Sequence, residues 1–319
     1  MKLYRLKLKP VSSWQTPWQA DTLAGLLCWA CARTEGGAML QREILEPAMR
    51  GAPPFVLSDA FPGDLLPAPE FVRLSDWPSE HLKFVRKARW LRQEAFRHVQ
   101  AGQSLSLDDL IADDVFEPRA NTRNMLDRLT NTTGAGGHLF TLQERWLGER
   151  SALLKASPYL SIYARATPEF HDRLLSLFGE VARTGFGADA SVGKGQFDLL
   201  SGFEPMPQFD EVASPDGVIA LSTFQPGAND PTDGGWQAFT KFGKLGPDFG
   251  LENVFKCPLI MLRPGAFFRS AIPPQVLGRA IPMDQLLSPE VCRALREKGT
   301  EIAHLAFGLA VPSHLPAGF

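Results

Sequence analysis

Twice along the chain the same local order recurs: an alternating strand, a short loop, then an amphipathic helix. Near the start, KLYRLKLKP places Tyr4, Leu6 and Leu8 on one face of a strand. A loop with Trp14 and Trp18 follows. Then ADTLAGLLCWACART sets Leu23, Leu26, Leu27 and Ala30 at helical spacing, with Asp21 placed to cap the helix and EGG to end it. In the second half, PYLSIYARA is the strand. The helix is PEFHDRLLSLFGEVART, with Thr167 as cap, Pro168 in its first position and an apolar face of Phe170, Leu174, Leu177, Phe178 and Val181. Each helix needs a sheet to cover its apolar face. The simplest architecture is α+β, two ferredoxin-like (RRM-like) units in tandem. The units are expected at 1–150, with a long insertion around 60–135, and at 151–319.

Between these openings the chain changes character. PPFVLSDAFPGDLLPAPEF is proline-rich, extended and turn-laden, and HLKFVRKARWLRQEAFRHVQAG is basic and amphipathic. Residues 117–137 read as a polar loop, and HLFTLQERWL as a strand. Later strands are expected in QFDLLSGFE, GVIALSTF, FKCPLIMLRPGAFF and AHLAFGLAVP, with a loop insertion over 226–250.

Lys and Arg number 33 against 35 acids, so any nucleic-acid contact must come from local clusters of charge. The longest early apolar run, Leu23 to Ala32, is too short to span a bilayer. The opening segment alternates like a strand rather than a leader, so a cytoplasmic location without membrane contact is expected. Four cysteines suit a reducing compartment.

The stretch GFGADASVGKGQF invites a phosphate-binding reading. It is not a P-loop: five residues separate Gly187 from Gly193 where that motif has four, and Gly195 follows Lys194 in place of Ser or Thr. It also leaves a helix and enters a strand, the reverse of the P-loop and dinucleotide orders. Gly185, Gly187, Gly193 and Gly195 would let backbone N–H groups approach a sugar-phosphate chain, with Lys194 adding a charge. A helix cap at Gly185 followed by a plain turn accounts for the same residues. The basic run from Lys83 to Arg97, including Lys87, and the arginines Arg119, Arg123 and Arg128 suit either phosphate contacts or a solvated surface. Cys28 and Cys31 have redox spacing, but they lie in an apolar helix without a second pair and read as core. His81, His98, His138, His171, His304 and His314 form no ligand or triad pattern in the sequence, and no cofactor or metal is expected.

GFGADASVGKGQF resembles the glycine-rich loop of the RAMP superfamily, RNA-binding proteins of CRISPR systems. ADTLAGLLCWA, VLSDAFPGDLLPAPE, RNMLDRLTNTTGAGGHLFT, FTKFGKLG and CPLIMLRPGAFF resemble, in order, segments of its Cas-five-like branch, the fourth subunits of Csm complexes of type III. The resemblance implies a non-catalytic subunit that holds the 5′ tag of the CRISPR RNA. Its implied partners are the large effector subunit and a backbone RAMP subunit. The proline-rich segment is a candidate interface, with packing inside its own domain as the alternative. A histidine that many relatives carry after the first strand is missing from VSSWQTPWQ. The rival reading is a RAMP endoribonuclease that processes CRISPR RNA, which usually places a general-base histidine early in the chain; here the first is His81.

Overall fold

The computed structural model describes residues 1–112, 115–133, 139–148, 157–246, 249, 251 and 254–317. The chain is α+β, as expected. Strand β1 (Lys2–Pro10) leads to helix α1 (Ala20–Thr34) and strand β2 (Phe55–Pro62). An excursion then forms a small sheet from Leu65–Pro67, Trp90–Arg92 and Leu110–Ile111. It also forms a long hairpin, β3 (Phe116–Asn124) and β4 (Leu139–Leu147). The chain returns in β5 (Leu160–Ala166), α2 (His171–Thr184), β6 (Phe197–Leu199) and β7 (Glu204–Pro205).

The two strands expected to open separate units pair with each other. β1 runs antiparallel to β5 from Lys2 opposite Ala166 to Leu8 opposite Leu160. β2 joins the far side of β5, and β6 and β7 the far side of β1. This order, β7-β1-β5-β2 with α1 and α2 as the crossovers, is one ferredoxin-like unit assembled from both halves. The expected division at 150 therefore cuts through a single sheet. The physical reason is that one strand and one helix make only half of such a unit, and the two halves complete each other. The helices cover the sheet with Leu23, Leu27 and Cys31 from α1 and Leu174, Leu177, Phe178 and Val181 from α2.

The remaining chain forms a second sheet. Its strands are β8 (Gly217–Ala220), β9 (Phe267–Arg269), β10 (Val276–Pro282) and β11 (Ala303–Ser313), with α3 (Pro289–Glu297) linking the last two. The order is β9-β8-β11-β10, with Gly234–Gly235 beyond β9. It differs from the ferredoxin order of the first sheet. Neither β10 nor α3 was marked by the sequence. The 226–250 stretch, expected as a loop, contributes strand Ala238–Lys241, paired with Leu259–Leu262.

The SDAFP segment locks the two sheets together. Ser58 and Asp59 bulge out of β2 between Leu57 and Ala60. The Asp59 N–H donates to Leu221 O at 3.0 Å. Its carboxylate accepts from Ala20 N (2.9 Å), Thr223 N (2.7 Å) and the Thr223 hydroxyl (2.7 Å). Asp59 thus caps α1 from across the fold, in place of the expected Asp21. Burial pushes the Asp59 carboxyl up to about 6 despite these donors. Fully buried Arg165 adds a second link, donating to Asp210 Oδ2 at 2.9 Å and to Ala310 O at 3.0 Å. The proline-rich segment is therefore interior to this chain: every residue of β2 is buried. The interface expected there is overturned, since those side chains are already covered. Thr167 and Pro168 also fall short of their expected roles, because α2 begins at His171 after a turn in which Phe170 N donates to Thr167 O.

Candidate functional site

Residues 117–137, expected as a loop, begin instead with a full strand. β3 pairs with β4 along its length, from Phe116 opposite Leu147 to Asn124 opposite Leu139. Much of its surface is exposed, so no apolar alternation announces it. Arg119, Asn121, Arg123 and Glu144 share one face of this hairpin, and that face turns toward the glycine-rich loop.

Glu144 is the hub. Its carboxylate, almost fully buried, accepts from the Lys194 ammonium (2.8 Å), the Ser13 hydroxyl (2.7 Å) and Asn121 Nδ2 (2.9 Å). Arg123 Nη2 lies 3.6 Å away. Burial works against this charge, but the hydrogen bonds of Lys194, Asn121 and Ser13, with the lysine's charge, hold the carboxyl at about 2. Asp189 of the glycine-rich loop is a second hub, accepting from Arg123 Nη1 and Gln15 Nε2, both at 2.8 Å. Backbone bonds complete the join: Trp14 and Arg145 exchange N–H to O bonds at 3.1 and 2.7 Å, and Gly195 N donates to Ser13 O at 2.8 Å. Three segments, 11–18, the hairpin and 185–196, form one surface.

The four glycines have positive φ, but they serve different ends. A Cβ on Gly195 would stand 1.9 Å from Phe186 O, and one on Gly187 would stand 2.6 Å from Thr16 Cβ. These glycines bring the loop against its own chain. A Cβ on Gly185 would crowd Gln196 Nε2 at 2.4 Å. Gly193 alone of the four faces open space, beside exposed Val192. Beneath the loop, Trp18 stacks on Phe186 at 3.8 Å between ring centres, and Trp14 meets Trp18 and Phe116 edge-on. Both tryptophans are buried, so they are packing residues.

The sequence-marked cations divide into two groups. Lys194 and Arg123 are spent on Glu144 and Asp189. Arg119 lies 3.5 Å from Glu117 and over the Trp146 ring, with half its side chain exposed. Arg128 is exposed at the hairpin's far end, near exposed Met125, Leu126 and Leu129. Lys83 and Lys87 are exposed on the insertion and make no contact with Glu144 or Asp189 among the described residues. The sequence did not mark Glu144, Asp189, Ser13 or Gln15. Only Glu144's place in an alternating strand hinted at a partner, and nothing in the spacing named Lys194.

A second polar cluster escaped the sequence altogether. Asp21, with a fully buried side chain, accepts from Lys241 at 2.7 Å and lies 2.9 Å from His304 Nε2; Lys256 Nζ lies 3.2 Å from His304 Nδ1. Burial opposes the Asp21 charge, yet His304 and Lys241 hold its carboxyl at about 2. Burial lowers both His304 and Lys256. The cluster ties α1 to β11 and to the 238–262 strands. Burial likewise pushes the Cys28 thiol up to about 12, although the residue is only half-buried against the core; Cys31 is the buried one of the pair. His138 lies outside the described residues. Among the described residues, no helix is long and apolar enough to cross a membrane.

No protein-family model matches the sequence, and no curated protein matches it. Solved structures do. A chain of the Csm1-Csm4 cassette in complex with pppApA superposes with TM-score 0.62 at 16% identity, covering 100% of each chain. A chain of the same cassette in complex with cA4 gives 0.63 at 15%, covering 99% of this chain and 100% of that one. A chain of the Csm3-Csm4 subcomplex in the type III-A CRISPR-Cas interference complex gives 0.61 at 12%, again over 99% and 100%. From end to end, this chain has the fold of a subunit of Csm assemblies.

Proposed function

We propose that the chain is a Csm4-like RAMP subunit of a type III CRISPR effector complex, holding the 5′ tag of the CRISPR RNA without cutting it. The observation that carries this reading is the fold shared over whole chains with members of two assemblies, Csm1-Csm4 and Csm3-Csm4. Csm4 is the component those assemblies have in common. The expected partners are accordingly a large subunit comparable to Csm1 and a backbone subunit comparable to Csm3. The joined glycine-rich loop and hairpin supply the RNA surface: open backbone at Gly193 and side chains of Arg119 and Arg128. The endoribonuclease alternative needs a histidine within reach of a scissile phosphate. The Asp21–His304 pair has acid–base composition, but its side chains are walled in and serve as a strut. The deciding experiment is reconstitution with and without the large subunit, followed on a sizing column. Joint retention of an RNA with a uniform 5′ end supports the reading. Cleavage of repeat RNA by the purified chain, abolished by one substitution, refutes it.

A further inference from the structure

The charges closest to the glycine-rich loop are neutralised inside the chain, by Glu144 and Asp189. The insertion is built differently. Lys83, Arg86, Lys87, Arg89, Arg92 and Arg97 are all exposed, with Glu94 the one acid among them. Among the described residues, none of these six side chains makes an ion pair or hydrogen bond within the chain. Their placement is fixed. The turn of helix at Leu82–Val85 continues to Ala88, whose N–H reaches Phe84 O at 3.0 Å. Val85 and Ala88 point into the core, so Lys83, Arg86 and Lys87, spaced i, i+3, i+4, share the outer side. Phe84 stands beside them, 41% exposed. Buried Leu91, Phe96 and Val99 anchor the following strand and helix, leaving Arg92 and Arg97 outside. Trp90 meets both Phe61 and Phe116, and from Phe116 the ring contacts continue through Trp14 and Trp18 to Phe186. A continuous run of packed rings therefore joins the base of the basic segment to the glycine-rich loop.

We infer that this basic face binds the phosphate backbone of single-stranded RNA and carries the salt-dependent part of RNA binding, while the glycine-rich loop supplies shape and backbone donors. The inference rests on the reading of the chain as an RNA-binding subunit. A free cation that neutralises a phosphate releases condensed counterions. An ammonium already paired with a buried carboxylate has no such charge to offer. An exposed aromatic ring among unpaired cations is the combination that single strands use, stacking beside backbone charge. That combination favours RNA over an acidic protein surface.

The test is fluorescence anisotropy of the full-length chain with a mixed-sequence single-stranded RNA of about 40 nucleotides, from roughly 50 to 300 mM salt. K83Q/R86Q/K87Q is expected to lower the slope of log affinity against log salt by about 2, three contacts at about 0.7 each. K83R/R86K/K87R, which keeps the charges, is expected to keep the slope. Thermal melting confirms that both variants fold, as exposed substitutions should. An unchanged slope in the glutamine variant overturns the inference while leaving the RNA-binding reading standing, and points to a protein partner on this face. A wild-type chain that binds no RNA even at low salt also overturns the inference, and the reading itself then stands or falls on the reconstitution with the large subunit.

Discussion

Lys194 and Glu144, fifty residues apart, meet at 2.8 Å and fasten the glycine-rich loop to the hairpin. The lysine that the sequence offers to a phosphate is thereby a structural cation. Its partner is almost entirely buried, and removing the glutamate leaves the Lys194 ammonium without its counter-charge.

Glu144→Gln is expected to destabilise the protein by about 3 kcal/mol, the usual cost of breaking a buried pair. Urea denaturation measures this, and hydrogen exchange should show the hairpin amides losing protection first.

The same pair sets an acid limit. The folded-state pKa of Glu144, about 2, lies below its ordinary value, so its contribution is complete at neutral pH. It erodes below about pH 4.5 and is gone once the pH falls past the folded value. Asp59 acts in the opposite sense. Its pKa is raised to about 6, so the folded state holds the proton more tightly. Its contribution to stability declines as pH rises from about 4 to 6. The stability of wild type relative to D59N should therefore be greater at about pH 4 than at pH 7, read from paired urea curves.

Asp59→Ala tests the interior role of the SDAFP segment. It removes the cap of α1 and both bonds to Thr223. A loss of about 2 kcal/mol or more is expected, with unfolding of α1 and the second sheet remaining coincident.

The glycines separate packing from surface. Gly195→Ala drives a methyl into Phe186 O and should cost roughly 3 kcal/mol or more. Gly193→Ala meets open space and should cost only about 1 kcal/mol, from its left-handed backbone. Differential scanning calorimetry ranks the two. Weakened RNA binding in a folded Gly193 variant would mark that position as a contact.

The elements with strong period were legible in the sequence: β1, α1, β5 and α2 stand where the alternation and helical spacing put them. Their assembly was not, because two similar half-units read as two whole ones when pairing partners are invisible. The hairpin strand Phe116–Asn124 escaped for a physical reason. It has little apolar face, and its order comes from pairing with β4 and from Glu144 and Asp189. The glycine-rich loop was legible as a special backbone but not as a packed one, since the crowding of Gly187 and Gly195 depends on Thr16 and Phe186. The capping of α1 by Asp59 lay beyond any local rule, as the carboxylate comes from thirty-nine residues downstream of Ala20.

The pairing of β1 bears on how the protein is made. Both of its neighbours, β5 on one side and β6 with β7 on the other, lie more than 140 residues later in the chain. At about 5–20 residues per second, a ribosome leaves this first strand unpaired for on the order of ten seconds. An unpaired apolar strand is a template for aggregation. Lys2, Arg5, Lys7 and Lys9 intersperse charge among its Leu3, Leu6 and Leu8. In the nascent chain they act as gatekeepers, keeping the strand solvated and mutually repelling until its partners emerge.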